Sequence, residues 1–335
     1  MTTGWLKRLA CLLLFAALAG AKPAVAQDRP ITLAIPGIPP VFGGMIALVA
    51  EKEGFFRKHG VNVEVKAFET GAAASRAVVA RQVELALSPT PLIISQVANA
   101  SVPLVGIWGM EFPDWLIGSM DPNASCQKIK GQAVGVDSVG GARSIALRTL
   151  LGGGCKMKIE EVQQIALSSN VGAAMVAGQL QYGVLHVDDI PVIEAESKKK
   201  VKTVVTQGQA RAIDHYLLLV VHQETAKRRP DALVRVIAGL IESERFMRNP
   251  ANHAKVAQHA APTGRKPEFA DWALKAYLEM EFWPHEKDGL TRQRIEGLSQ
   301  ILKNGGAIKP GKEPAPYDRL IDASLWPAAH AMVGR

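Results

Sequence analysis

Cysteine is scarce in this chain: Cys11, Cys126 and Cys155 are the only three in 335 residues, and Cys11 lies inside an N-terminal apolar run. If the other two pair, no thiol remains for nucleophilic chemistry. Aromatic residues make up 6% and charged residues 21%, against 48% apolar, a balance that excludes disorder. The one run of like charge, Lys198-Lys199-Lys200 with Lys202, has no interleaved aromatics and reads as a solvated turn, which argues against a nucleic-acid partner. Beyond the N-terminus no apolar run reaches the roughly 18 residues that a membrane span needs. The HExxH zinc signature and the GxSxG nucleophile elbow are both absent, so neither a cofactor nor a catalytic residue is expected.

What is present begins with MTTGWLKRLACLLLFAALAGAKPAVA. Lys7 and Arg8 precede an apolar run from Leu9 to Ala19, and Ala24-Val25-Ala26 precede Gln27. This is the pattern of a secretory signal peptide, residues 1–26, and it places the mature chain outside the cytoplasm, in the periplasm. Removing 26 of 335 residues leaves 309, and with Lys7, Arg8 and Lys22 gone the net charge falls from +8 to +5. In an oxidising compartment Cys126 and Cys155 are expected to form a disulfide; two buried thiols are the alternative. The expected local fold agrees with pairing, because a strand at 132–136 followed by an antiparallel helix at 142–151 returns the chain to where it began.

The stretch GVDSVGGARSIALRTLL, residues 135–151, has the strand, glycine turn and helix start of a phosphate loop. Gly135 and Gly140 supply the frame, but Gly141 and Ala142 stand where Lys and Ser or Thr should be. The cation and the magnesium ligand are both missing, so no nucleotide is expected. A helix N-terminus with free backbone N–H groups remains, suited to a small polar or anionic molecule.

Along the chain, short apolar strands alternate with helical spacing: ITLAI, then 42–58; VNVEVKAF, then AAASRAVVAR; VELALS, then 92–98; PLVGIW at 103–108. Such units predict parallel sheets flanked by helices. VVARQVELAL (78–87) echoes MVAGQLQYGV (175–184), which favours two lobes of like topology. After a buried-type strand at 216–221 the pattern turns helical, with helices expected from Pro230, at 269–280, from Thr291 to Asn304 and at 317–333. The expected division is 27–115 for the first part of lobe 1, 116–215 for lobe 2, and 216–335 for the completion of lobe 1 with a helical C-terminal region. The chain crosses between lobes near 108–119 and 212–216.

The run MIALVAEKEGFFRKHGVNVEVKAFETGAAASRAVVARQVELALSP resembles the first lobe of the nitrate-, sulfonate- and taurine-type substrate-binding proteins of bacterial ABC transporters. CQKIKGQAVGVDSVGGARSIALRTLL and GLTRQRIEGLSQILKNGGAIKPGKEPAPYDRLIDASL resemble later parts of the same family, in the same order. Where the family carries G-x-V-D, this chain has Arg81 and Glu84, and the second copy has Gln181, which marks a divergent member. The resemblance implies a type II periplasmic-binding fold and a monomeric receptor that delivers a small solute to an inner-membrane ABC permease. Alternatives are a pyrimidine-precursor binder or pyrimidine-synthase-like enzyme on the same fold, or a ligand-sensing partner of an envelope protein.

In such a sheet, ligands sit beyond the carboxyl ends of the strands. That brings together loops 38–43, 70–73, 88–90, 138–143, 168–170 and 186–189. Arg143, in the first turn of its helix, is the candidate to grip a carboxylate or sulfonate. Thr70, Ser88, Thr90, Ser138, Gly141 and Asn170 offer hydroxyl, amide or backbone contacts, and Phe42 and Trp108 offer aromatic faces. Asp188 is expected to bond a ligand amine. With His186 and Asp189 it forms a cluster of metal-like chemistry, but no third ligand is identifiable, so no metal is expected. A small organic anion is the expected solute.

Overall fold

The computed structural model describes residues 30–168, 170–210 and 214–334. The predicted signal peptide lies outside them, as do Ser169 and positions 211–213. From Ile31 onward the chain forms a single unit built around two five-stranded sheets.

The first sheet contains β1 (Ile31–Pro36), β2 (Val63–Phe68), β3 (Leu85–Pro89), β4 (Leu104–Met110) and β10 (Leu217–His222), in the order β2-β1-β3-β10-β4. The second contains β5 (Trp115–Ser119), β6 (Ala133–Val136), β7 (Gln163–Ala166), β8 (Tyr182–His186) and β9 (Lys202–Thr206), in the order β7-β6-β8-β5-β9. The two orders are equivalent strand for strand, as the internal echo suggests. At the aligned positions Arg81 and Gly178 both turn the chain through positive φ, 58° and 74°. The family glycine is thus replaced by an arginine that still adopts the left-handed conformation.

Each sheet is mixed, with one reversed strand: β10 runs antiparallel to β3 and β4, and β5 runs antiparallel to β8 and β9. The reason is the route of the chain. β4 ends on the side facing the other half, so the short link Glu111–Asp114 delivers β5 into its sheet from that side. β10 re-enters the first sheet the same way.

The first sheet is apolar on both faces. Leu33, Leu85, Leu87 and Leu219 are fully buried, each contributing about 1.5–3 kcal/mol relative to exposure. The helix Pro230–Arg248 lies against the helix Met45–Lys52, where Ser243 Oγ donates to the Ile46 carbonyl at 2.7 Å. Gly239 lets the same helix approach the next short helix, Phe55–Lys58, because a Cβ there would stand 2.6 Å from the Phe56 ring.

Two expected helices are interrupted. The stretch 42–58 divides at Gly54, whose φ is +76°, and 317–333 divides at Ile321, which bridges to Gly106 on the edge of the first sheet. Asp322 then restarts the chain by accepting from the Ser324 N–H. Cys126 and Cys155 are joined by a disulfide, Cα to Cα 5.2 Å. Among the described residues no helix is long and apolar enough to cross a membrane.

Candidate functional site

The carboxyl ends of β1, β2, β3, β6, β7 and β8 converge between the halves. They border a cavity of about 40 Å³ lined by Pro36, Gly37, Val41, Glu69, Thr70, Gly71 and Pro89 on one side. Trp115, Asp137, Ala142, Arg143, Ser168 and His186 line the other, and Tyr216 stands at the return crossing. All six loops anticipated from the sequence contribute. The halves meet directly: Ser168 Oγ donates to the Glu69 carbonyl at 3.2 Å.

Arg143 reaches this cavity, but its side chain is 6% exposed and already engaged. Its Nη1 donates to the Val184 carbonyl at 2.7 Å and Nη2 lies 3.8 Å from Asp189. The free helix N-terminus expected beside it is also filled. Asp137 Oδ2 accepts from the Ala142 N–H and Oδ1 from the Arg143 N–H, at 3.1 and 3.0 Å. A carboxylate of the chain itself therefore sits where an anion was expected.

Thr70 lines the cavity while its hydroxyl caps the helix Gly71–Val79 by accepting from Ala73. Ser138 and Gly141 line a separate outer groove, and Gly141 leaves no room for a Cβ against Ser138 and Asp137. Asn170 is exposed at the start of the helix Val171–Val176. The remaining candidates lie elsewhere. Trp108 is not at the crossing but within β4, 1% exposed, in the core. Phe42 stacks on Tyr277, ring centroids 5.6 Å apart. Ser88 Oγ donates to the Gly71 carbonyl, a fully buried structural bond.

Thr90 is buried against His215, Oγ1 to Nδ1 2.7 Å, and His215 Nε2 lies 2.6 Å from the Gly289 carbonyl. The carbonyl can only accept, so Nε2 carries the proton and Thr90 donates to Nδ1. Burial, opposed by the Gly289 bond and Glu111, lowers this imidazole to a pKa of about 4.

Behind the cavity lies a buried polar cluster. Asp114 accepts from His186 Nδ1 with both oxygens at 3.0 Å, and the Tyr277 hydroxyl bonds Asp114 at 2.5 Å and Asp188 at 2.6 Å. Arg265 pairs with Asp188 and, at 3.1 Å, with Asp189. Three carboxyl groups, Asp114, Asp188 and Asp189, thus face Arg143, Arg265 and His186. Burial opposes the charging of Asp114, but His186 and the Tyr277 hydroxyl outweigh it and hold the carboxyl below its ordinary range. His186 is raised in turn: burial works against its charge, and Asp114 overcomes it. Burial pushes Asp188 up against the pull of Arg265.

Asp114 supplies the third ligand that the sequence lacked, and Asp114, His186 and Asp188 have the donor types of a cation site. Asp114 already accepts from His186 Nδ1 and Tyr277, and Asp188 meets Tyr277 and Arg265, so the cluster reads as an internal ion-pair network. Asp188 accordingly meets protein groups instead of a ligand amine.

Sequence reasoning placed His186 in a cleft loop but missed Trp115 and Tyr216 as cavity walls. Trp115 opens β5 and Tyr216 immediately precedes β10, each at one of the two crossings, which was the available signal; their rings lie 6.0 Å apart, and His186 is 4.9 Å from Trp115.

Residues 42–253 match the model of a family described as NMT1/THI5 like. The chain belongs to the NMT1/THI5-like family. A protein of Brucella abortus named only as a binding protein is 24% identical over 299 residues, 88% of this chain and 92% of that one. Among solved structures, the periplasmic nitrate-binding protein of Synechocystis PCC 6803 superposes with a TM-score of 0.76 at 13% identity, covering 91% of this chain and 90% of that chain. The periplasmic aliphatic sulphonate binding protein of Escherichia coli superposes with a TM-score of 0.63 at 15% identity, covering 88% and 92%. At these identities the family member shares their periplasmic-binding-protein fold.

Proposed function

We propose that this NMT1/THI5-like chain is an extracytoplasmic solute receptor that closes over a small organic anion and delivers it, as a monomer, to an ABC permease. The observation that carries the reading is the convergence of six strand-end loops from two equivalent sheets on one cavity. A volume of about 40 Å³ suits the closed arrangement, and a solute enters when the halves part. The neighbours' names, a nitrate binder and an aliphatic sulphonate binder, support an anion, and the second supports an organic one.

The anion preference rests on His186 more than on helix amides. Asp114 accepts from Nδ1 and favours the charged ring, and in that imidazolium Nε2 also carries a proton, so His186, which lines the cavity, offers a second N–H to an anion. Trp115 and Tyr216 supply the apolar surface for an organic group. No covalent chemistry is assigned to the site; binding and release are its whole task.

A thermal-shift panel of sulfonates and carboxylates tests this. A true solute at about a hundred times its dissociation constant adds about 2.7 kcal/mol of stability. His186→Gln and Arg143→Ala are each expected to lose the shift. A panel in which no anion stabilises the protein, or in which both variants respond like the parent, would overturn the anion assignment.

A further inference from the structure

We propose that a second solute site lies outside the inner cavity, in a groove of about 550 Å³ that spans both halves and takes a polyvalent, hydroxyl-bearing carboxylate or phosphate. The groove runs between the helices Gly71–Val79 and Thr90–Ala100 of the first half and the 138–141 loop and helix Ala142–Thr149 of the second, with 306–309 closing one end. It is over ten times the volume of the inner cavity and within the range of small-molecule sites.

Its charge is one-sided. Arg76, Arg148 and Lys309 line it, from three separate segments, and no Asp or Glu does. Arg76 and Lys309 are exposed and form no ion pair among the described residues. Arg148 has only Glu160 at 3.6 Å, itself 69% exposed and outside the groove. Three cations lining one groove, with no acidic residue in its walls, favour an anion between them. Lys309 is not a loose tail: Asn99 Oδ1 accepts from its backbone N–H at 2.8 Å, and Asn99 Nδ2 donates to the Ala307 carbonyl at 3.0 Å.

A second observation narrows the ligand. Gln96 lines the groove, and its Oε1 is buried without a hydrogen-bond partner. An unpaired amide oxygen calls for a donor, so the matching molecule carries a hydroxyl or N–H besides its anionic oxygens. Because the cations come from both halves, occupancy favours the closed arrangement over the open one.

Citrate, trivalent and hydroxylated, is the probe. Calorimetric titration of the mature protein at low salt is expected to give saturable binding that weakens with added salt. The double variant Arg76→Gln/Arg148→Gln, at exposed or half-buried positions, is expected to fold normally by circular dichroism and to bind at least tenfold more weakly. His186→Gln is expected to leave citrate binding unchanged, which separates this groove from the inner cavity. Absence of saturable binding, equal affinity in the double variant, or loss of citrate binding in His186→Gln alone would each refute the second site.

Discussion

Arg265, in the chain that packs against the first half, forms an ion pair with Asp188 of the second half; Asp188 is buried at 1% exposure and Arg265 is largely covered at 11%. Tyr277 adds a hydroxyl shared by Asp188 and Asp114. The closed arrangement is therefore held by groups of the protein itself. Arg265→Gln removes the cation from two carboxyl groups and is expected to cost about 3–5 kcal/mol. Urea unfolding measures it, and Asp188→Asn added to Arg265→Gln should recover part of the loss. Equal stability of the single variant and the parent would show that the pair does not hold the halves.

Tyr277→Phe keeps the ring stacked on Phe42 but deletes the shared hydroxyl. The expected loss is about 1–3 kcal/mol, because two buried acceptors are left with fewer donors. Small-angle scattering of the solute-free protein should show a larger radius of gyration than the parent; an unchanged radius would assign closure to other contacts.

His215 gives the fold an acid-side weakness. Its pKa falls from 6.5 to about 4 on folding, so the unfolded chain takes up a proton first as pH drops. Stability from this group is complete above pH 6.5 and is lost between there and about pH 4, by about 3 kcal/mol in all. The urea midpoint should drop between pH 7 and pH 4.5, and His215→Gln should flatten that drop even if its stability at pH 7 is lower.

For His186 the sign is reversed. The charged ring is favoured in the folded protein, so the cationic donor is present below its raised pKa and disappears as pH rises through it. Anion affinity is expected to weaken with increasing pH, measured by titration calorimetry between pH 5.5 and 8.5. A pH-independent affinity, or the same slope in His186→Gln, would remove His186 from recognition.

Linking Cys126 to Cys155 closes a sequence separation of 29 residues. By loop entropy this contributes about 3–4 kcal/mol, so Cys126→Ser/Cys155→Ser should melt lower than the parent under non-reducing conditions. Matching melting temperatures would mean that the link constrains little in the unfolded chain.

The fold was legible because its signals are local and repeated. Strand runs such as ITLAI, the turn at Arg81 with its echo at Gly178, and the order of the units need no knowledge of distant partners. The loops at the site were legible for the same reason. Side-chain roles were not. Asp137 caps the helix that was expected to offer free amides, and only the folded turn shows its carboxylate reaching back to Ala142 and Arg143. Thr90 lies within a candidate loop and Trp108 at the start of a crossing, yet burial against His215 and in the core consumes them. Arg265 and Tyr277 arrive from far along the chain, so no spacing pattern could connect them with Asp188.

The placement of β10 between β3 and β4 also sets an order of assembly. The second sheet draws all its strands, and its disulfide, from one continuous segment and can complete itself alone. The first sheet stays split into two pieces until residues 217–222 arrive to fill its gap. A chain threaded outward from its N-terminus therefore finishes last the half it began first, and exposes two unpaired strand edges in the meantime.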